Sequence, residues 1–355
     1  MYMNKELSFL RVSESNFSEL SQGVSDLHFT VHKQKYELSY WRSRYLKNPV
    51  GKSNLIVAVR NGRVVGKYGL LYIPLVVRGK SVVAGLMSGL SIYPFERSWQ
   101  CYRGLVDKSI DESREDNLAF RFGVCFHKMV EFNQRMGVTI LGRMPVHSGF
   151  LNVRRMLEGR SIPYPLSLSG CFIQHIVGLK IRRKKICNLD IRAIKNFNAV
   201  FDELWSFIAK KYIVSLIKDA AYLNWRYADC PGKQYGRLAA YDGNRLEGFV
   251  VFSTTGIHYS SCILELLARD DNPEVMRELL LHVFSELRTQ KVGSIAASFS
   301  PGSQKAVVLQ ELGFKLWGVE TWPAHILIAA RSPEEVYPDI SLKSCEFSLG
   351  DWDIS

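Results

Sequence analysis

Cys125 and His127 carry side chains able to attack a carbonyl carbon or move a proton. Imidazole changes charge near neutral pH, which suits His127 to a proton relay, and a thiolate at Cys125 would be a nucleophile. Both sit where an apolar run, Ala119 to Cys125, gives way to a helical pattern from His127 to Met136. Nothing nearby in sequence completes a triad, so a buried strand thiol is the better reading of Cys125. Capping or packing at a helix start is the plain alternative for His127. Trp99 and Tyr102 offer flat faces that would hold an acyl chain or a sugar, or simply cover the core beside a helix. Tyr222, Trp225, Arg226 and Tyr227 form a second cluster of chemistry-bearing residues. The seven cysteines are scattered, odd in number and never in a CxxC or CxxH pair, so no metal site is expected and reduced, buried thiols are.

The elements that would carry these residues recur along the chain. Tyr40 to Gly66 aligns without a gap on Tyr222 to Gly248 at a constant offset of 182 positions. Tyr40 meets Tyr222, Arg44-Tyr45 meets Arg226-Tyr227, Pro49 meets Pro231, Ala58 meets Ala240, Arg63 meets Arg245 and Gly66 meets Gly248. Each window reads as a helix end, a proline-marked loop and two apolar strands joined at Asn61-Gly62 or Asp242-Gly243. A second block, Gln134 to Val138 against Gln310 to Phe314, follows at an offset of 176. Between the blocks each copy shows a strand (Val82 to Ile92; Ser261 to Leu267), a helix (Gln100 to Arg114; Pro273 to Thr289), a strand (Ala119 to Cys125; Gly293 to Phe299) and a helix ending at the glycine. Two collinear blocks predict a duplicated α/β module. Because Tyr40, Arg44 and Tyr45 recur as Tyr222, Arg226 and Tyr227, that cluster is expected to anchor a helix end to the sheet.

The hairpin ending at Gly66, then Tyr93-Pro94, an Arg97-centred loop opening a helix, a further strand and helix, and Met136-Gly137-Val138 together resemble the GNAT N-acyltransferase superfamily. Asp219 to Tyr227 through Pro231 looks like the tandem GNAT proteins of bacterial cell-envelope and polysaccharide biosynthesis. The likeness spans roughly Leu7 to Ala330 and rests on the ordered series of motifs. It implies an α/β fold of two tandem GNAT-like modules, each a mixed, mostly antiparallel sheet flanked by helices. The expected division is 1–162 for the probable donor-binding copy, 163–189 for a linker, 190–335 for a degenerate copy and 336–355 for a C-terminal tail.

The resemblance also implies a site. In the superfamily, backbone of the fourth strand polarises the thioester, and the next helix begins with an Arg or Gln followed by small residues, so that bare N–H groups hold the pyrophosphate of coenzyme A. Transferred residue by residue, this assigns donor binding to Leu90, Ser91, Ile92, Arg97, Ser98, Trp99, Gln100 and Arg103. Gln100 and Tyr102 stand where small residues belong, leaving Ser98, Gln100 and Arg103 to supply side-chain donors. Acid and base are expected among Tyr93, Cys125, His127, Glu131 and His147, with His127, Tyr93 and Glu131 the leading set. The second copy's loop, Arg269 to Glu274, has Asn272 as N-cap and Pro273 at N1, but Asp270, Asp271 and Glu274 would repel a pyrophosphate.

At 355 residues, with 47% hydrophobic and 23% charged composition, the chain can build two cores and is not disordered. Its apolar runs are too short to cross a bilayer, and MYMNKELSFLRV lacks a signal-peptide apolar stretch, so a soluble cytoplasmic protein is expected, with room for peripheral membrane association. A net charge of +12 favours an anionic partner without choosing among them. The basic run Lys180 to Lys185 has no interleaved aromatics, so nucleic acid is disfavoured and a solvated linker preferred. The expected activity is transfer of an acetyl or longer acyl group from CoA, or from an acyl carrier protein, to an amine, such as that of a sugar in polysaccharide or envelope assembly. The competing class is a non-catalytic GNAT-like scaffold that binds an anionic metabolite or a partner enzyme.

Overall fold

The computed structural model describes residues 7–51, 53–125, 129–135, 137–152, 189–253, 260–316, 325–330 and 340–352. His127, the basic run Lys180 to Lys185 and almost all of the expected linker lie outside the described residues.

Two mixed sheets form the frame. The first runs β1 (Ser8–Arg11), β2 (Asn54–Arg60), β3 (Arg63–Val77), β4 (Lys80–Ile92), β5 (Phe120–Cys125), β15 (His325–Ala330), β6 (Thr139–Arg143). The second runs β8 (Asp190–Ala193), β10 (Tyr235–Asp242), β11 (Arg245–Ser253), β12 (Ser260–Ala268), β13 (Ser294–Ser298), β7 (Val146–Phe150), β14 (Lys315–Leu316). Neighbours pair antiparallel except β4 with β5 and β12 with β13. In both sheets the next-to-last strand comes from the far half of the sequence: β15 inserts between β5 and β6, and β7 between β13 and β14. A short strand, β9 (Val214–Leu216), extends the first sheet from the end of β3 and pairs with β16 (Cys345–Glu346).

Local sequence explains these elements. The β2–β3 turn places Asn61 and Gly62 at φ 53° and 74°, the paired positive values that a two-residue hairpin needs and that Asn-Gly supplies cheaply. Helix α3 (Trp99–Glu115) starts at Ser98, whose Oγ accepts from the Cys101 N–H, and it buries Cys101 and Leu105 against Ile56, Ala58 and Val65. A Cβ at Gly66 would lie 3.1 Å from Leu105 and 3.3 Å from the Cys101 sulfur. At Gly248 it would lie 2.6 Å from the Leu267 carbonyl and 2.9 Å from Val275 of α7 (Pro273–Thr289). The matched glycines thus each let a helix close on its sheet.

On the opposite face of the first sheet, α1 (Phe17–His32) and α2 (Leu38–Tyr45) bury Leu20, Val24, Leu27, Trp41 and Tyr45. That cluster continues through Tyr222, Tyr227, Phe347 and Trp352, so the main core joins the two halves; α7 and α8 (Gln304–Glu311) cover a separate core on the second sheet. Trp225 donates its indole N–H to the Ser43 carbonyl at 3.0 Å, across a separation of 182 positions. Arg226 donates to the carbonyls of Gly350 and Trp352, and Tyr227 to Glu265. The aromatic and arginine cluster thus ties the end of a short helix, α6 (Ala220–Leu223), which follows α5 (Ala199–Ala209), and the π-type turn Asn224–Ala228 into the interior. No described helix is long and apolar enough to cross a membrane.

Candidate active site

The first sheet opens where two parallel strands part. β4 pairs with β5 only at Gly85–Arg121 and Leu86–Phe122, although both strands run on, β4 to Ile92 and β5 to Cys125. In the same stretch the register of β4 on β3 slips: Gly69 faces Ser88 and Lys67 faces Ser91, leaving Gly89 and Leu90 opposite the single residue Tyr68. This is a β-bulge at the mouth of the gap, with Gly89 at φ 63°, a left-handed value that glycine takes without penalty. Lys67, 1% exposed, donates its ammonium to the Gly89 carbonyl at 2.7 Å, and the ammonium lies 4.9 Å from the Trp41 ring centre.

The expected donor-binding residues follow one another along the chain from the bulge of β4 into the first turns of α3. Leu90 and Ile92 pack toward α3, and Ser91, 2% exposed, turns toward α1. The chain then passes through Tyr93, whose N–H donates to the Val65 carbonyl and whose ring lies 4.8 Å from the Arg63 guanidinium, and through a 3-10 turn over Pro94–Glu96. Arg97 donates to the Ile92 carbonyl at 3.4 Å and is otherwise exposed. Trp99 is 55% exposed, stacks on Tyr102 and has exposed Gln100 beside it, while Arg103 is engaged with Asp107 at 2.6 Å.

The expected acid and base residues are dispersed. Glu131 is exposed on α4 (Val130–Arg135). Burial pushes the Cys125 thiol up, away from nucleophilic thiolate character. His147 is buried on β7 opposite Ala297 of the second sheet, and burial lowers its pKa. It therefore sits apart from the β4–β5 gap.

Three groups that sequence reasoning missed flank the bulge on the α1 side. His32, at the end of α1, has its Nε2 2.8 Å from Ser91 Oγ. Tyr45 Oη lies 3.2 Å from Ser88 Oγ, and Lys67 stands behind Gly89. Lys67 carried a signal: an ionisable residue inside the apolar run Val64 to Ile73 has to be buried with a polar partner. His32 carried none, because only the fold brings the end of α1 over β4. Among the described residues no group of three or more His, Cys, Asp or Glu side chains could hold a metal ion.

The second sheet parts in the same way and is filled. β12 and β13 pair from Ser260–Ser294 to Ile263–Ala297, and beyond that point Phe347–Asp351 packs in, with a bridge between Phe299 and Ser348 and a 3-10 turn over Leu349–Asp351 against β12. The Lys218 ammonium, wholly buried, lies within hydrogen-bond distance of Glu265 at 2.7 Å, Glu346 at 2.8 Å, Asp351 at 3.1 Å and Ser348 at 3.2 Å, its three protons shared among the four. Lys305 pairs with Glu346 from the other side. Burial alone would lower Lys218, but the charges of Asp351, Glu265 and Glu346 outweigh it and hold the ammonium well above its ordinary range. Burial would raise Glu346, yet Lys218 and Lys305 bring it to about 2, whereas burial, backed by Glu265 and Glu346, pushes Asp351 up to about 8. Two ammoniums against three carboxylates leave one negative charge in excess, and a bound proton relieves it. At the corresponding helix start, Lys211 pairs with Asp270 at 3.6 Å and Asp271 at 3.3 Å, so the carboxylates there are matched internally.

Solved structures share this architecture. Saccharomyces cerevisiae N-myristoyltransferase with bound myristoyl-CoA superposes with a TM-score of 0.65 at 11% identity, over 94% of this chain and 81% of that one. A probable N-acyltransferase from Enterococcus faecalis gives 0.62 at 9% identity, covering 91% and 72%. A GCN5-related N-acetyltransferase from Anabaena variabilis gives 0.61 at 12% identity, again over 91% and 72%. At these identities the likeness is one of fold. No curated protein sequence matches the chain. Residues 15–141, from α1 through β6 and including the bulged gap, match the family model described as an acetyltransferase (GNAT) domain.

Proposed function

We propose that the chain is an N-acyltransferase that uses an acyl-CoA donor in the gap between β4 and β5. The observation that carries this reading is the bulge at Gly89 and Leu90, which presents strand backbone beside an open gap, one short loop before the capped start of α3. A thioester carbonyl at the bulge and a pyrophosphate near Arg97 and the first turn of α3 use both features. The acyl carbon is attacked by an amine nitrogen, the C–S bond breaks, and the thiolate takes up the proton that the amine gives off. His32, hydrogen-bonded to Ser91 beside the bulge, is the base we assign among the described residues. His127, Tyr93 and Glu131 stay candidates for the acid.

We read the chain as two tandem copies of one module. The shared strand order, the reciprocal insertion of β7 and β15, and the contact between Ser43 and Trp225 at the repeat's own offset support a pseudo-twofold arrangement. The second copy, whose gap is closed by Phe347–Asp351 and whose Asp270 and Asp271 are paired with Lys211, acts as a structural partner. The Asp219 to Tyr227 segment makes amino sugars of polysaccharide or envelope assembly the first acceptors to test. The fold shared with a myristoyl-CoA-bound enzyme puts long-chain acyl-CoA beside acetyl-CoA among the donors. An acyl carrier protein is the further donor on this reading. Titration calorimetry with CoA and acetyl-CoA tests it: binding weakened by Arg97→Ala but not by Asp270→Ala is expected.

A second reading, a non-catalytic scaffold for an anionic metabolite or partner enzyme, is favoured by one observation. The first turn of α3 carries Gln100 and Tyr102 and spends one N–H on Ser98. Tight acetyl-CoA binding without release of free CoA thiol in the presence of any amine would support it.

A further inference from the structure

Within the acyltransferase reading, we infer that Lys67 is a positioning residue that sets and charges the backbone donor for the thioester oxygen. Three observations meet at one peptide. Lys67 is buried near the start of β3, its ammonium donates to the Gly89 carbonyl at 2.7 Å, and Gly89 sits at φ 63° in a two-against-one bulge. In a trans peptide the C=O of one residue and the N–H of the next point opposite ways. Holding the Gly89 carbonyl toward Lys67 therefore turns the Leu90 N–H away from Lys67, at a level where β4 is no longer paired with β5.

The reaction needs a donor there. When the amine nitrogen bonds to the acyl carbon, the carbonyl π pair moves onto oxygen; it returns as the C–S bond breaks and the sulfur leaves as thiolate. The proton lost by the amine passes through the base to that thiolate. A hydrogen bond already aimed at the oxygen favours the charged intermediate over the neutral thioester. The ammonium behind the peptide adds to this by polarising the bonded carbonyl, and with it the N–H on the far side. No sequence motif asks for a cation at this place. Its burial against Trp41, with its proton donated to a backbone carbonyl of the bulge, is what assigns the role.

Isotope-edited infrared spectroscopy reads this directly and needs no acceptor. With [1-13C]acetyl-CoA or [1-13C]octanoyl-CoA bound to the full chain, the thioester carbonyl band is expected to fall below its position in free solution. Lys67→Met should lose that downshift while the Kd for the acyl-CoA and the Tm stay close to wild type; Lys67→Arg, which keeps a charged donor, should retain it. A downshift equal in wild type and a folded Lys67→Met protein overturns the inference and leaves the donor site standing. If Lys67→Met fails to fold, an undisplaced band in Lys67→Arg or in wild type overturns it, and a displaced band in both sustains it. Absence of binding by both probes overturns the donor reading and this inference with it. Once an acceptor is in hand, turnover should drop roughly a hundredfold with KM for the donor unchanged, the scale of losing one preorganised oxyanion donor.

Discussion

His32 is exposed at the end of α1, and its Nε2 lies 2.8 Å from the buried Ser91 hydroxyl at the edge of the bulge. On the acyltransferase reading the His32–Ser91 pair stands on the acceptor side, and His32→Gln should lower turnover about a hundredfold while leaving acetyl-CoA affinity unchanged, the usual worth of a positioned base. Comparison of steady-state rates with calorimetric Kd separates the two; a parallel loss of donor binding would count against a role as base. Gly89→Ala tests the bulge itself. Alanine at φ 63° costs about 1 kcal/mol or more, so the variant should melt about one to two degrees lower or more, or reshape the bulge and lose turnover. At this scale the sequence was partly legible. Leu90, Ser91 and Ile92 can be located because an apolar strand followed by Tyr-Pro and a capped helix is a readable pattern, whereas His32 and Ser91 are brought together across 59 positions by tertiary packing alone.

The elements were more legible than the contacts between them. Periodicity and capping predict Pro273–Thr289 as a helix to the residue, and place the β4 strand and α3 within two residues of their observed ends. What local pattern could not supply is the use of the last described segment. Residues 340–352 belong to the expected C-terminal tail, yet Phe347–Asp351 closes the second gap, and Lys218 holds Glu346 and Asp351 there. That hub has a titration signature. Asp351, with its pKa raised to about 8, keeps a proton in the folded protein that the unfolded chain has lost above about pH 4. Folded binding of the extra proton means that stability contributed by this group is complete at low pH and is lost as the pH rises toward 8. Glu346, lowered to about 2, has the opposite sign, but its contribution is complete above about pH 5; His147, lowered by burial, is likewise spent above its ordinary value near 6.5. Between pH 6.5 and 8, wild-type unfolding free energy should therefore fall relative to Asp351→Asn, with a slope approaching about 1.4 kcal/mol per pH unit. Urea titrations of both proteins across that range measure it, and parallel curves would remove Asp351 as the proton's holder.

At the scale of the whole molecule, the exchange of β7 and β15 makes neither half complete. A chain ending at residue 152 keeps β1 through β6 but lacks β15, so β5 loses its antiparallel partner and β6 loses its attachment to the sheet. The same fragment carries β7, whose ladder partners β13 and β14 are absent, leaving Val146 and the strand edge without cover. Two unpaired edges and the exposed faces of Trp41, Tyr45 and Phe122, which pack in a core shared with the second half, are a recipe for strand-edge association. Residues 1–152 expressed alone should therefore be insoluble or polydisperse by size-exclusion chromatography. Co-expression with residues 189–355 should restore a soluble one-to-one complex, because the second fragment returns β15 and accepts β7. A monomeric, cooperatively melting 1–152 fragment would show that the family-matched stretch, residues 15–141, folds without the exchange. In that case the second half would bear on the first through side-chain contacts, such as that of Lys233, whose ammonium lies 5.2 Å from the ring of Tyr36 and 5.6 Å from that of Tyr40.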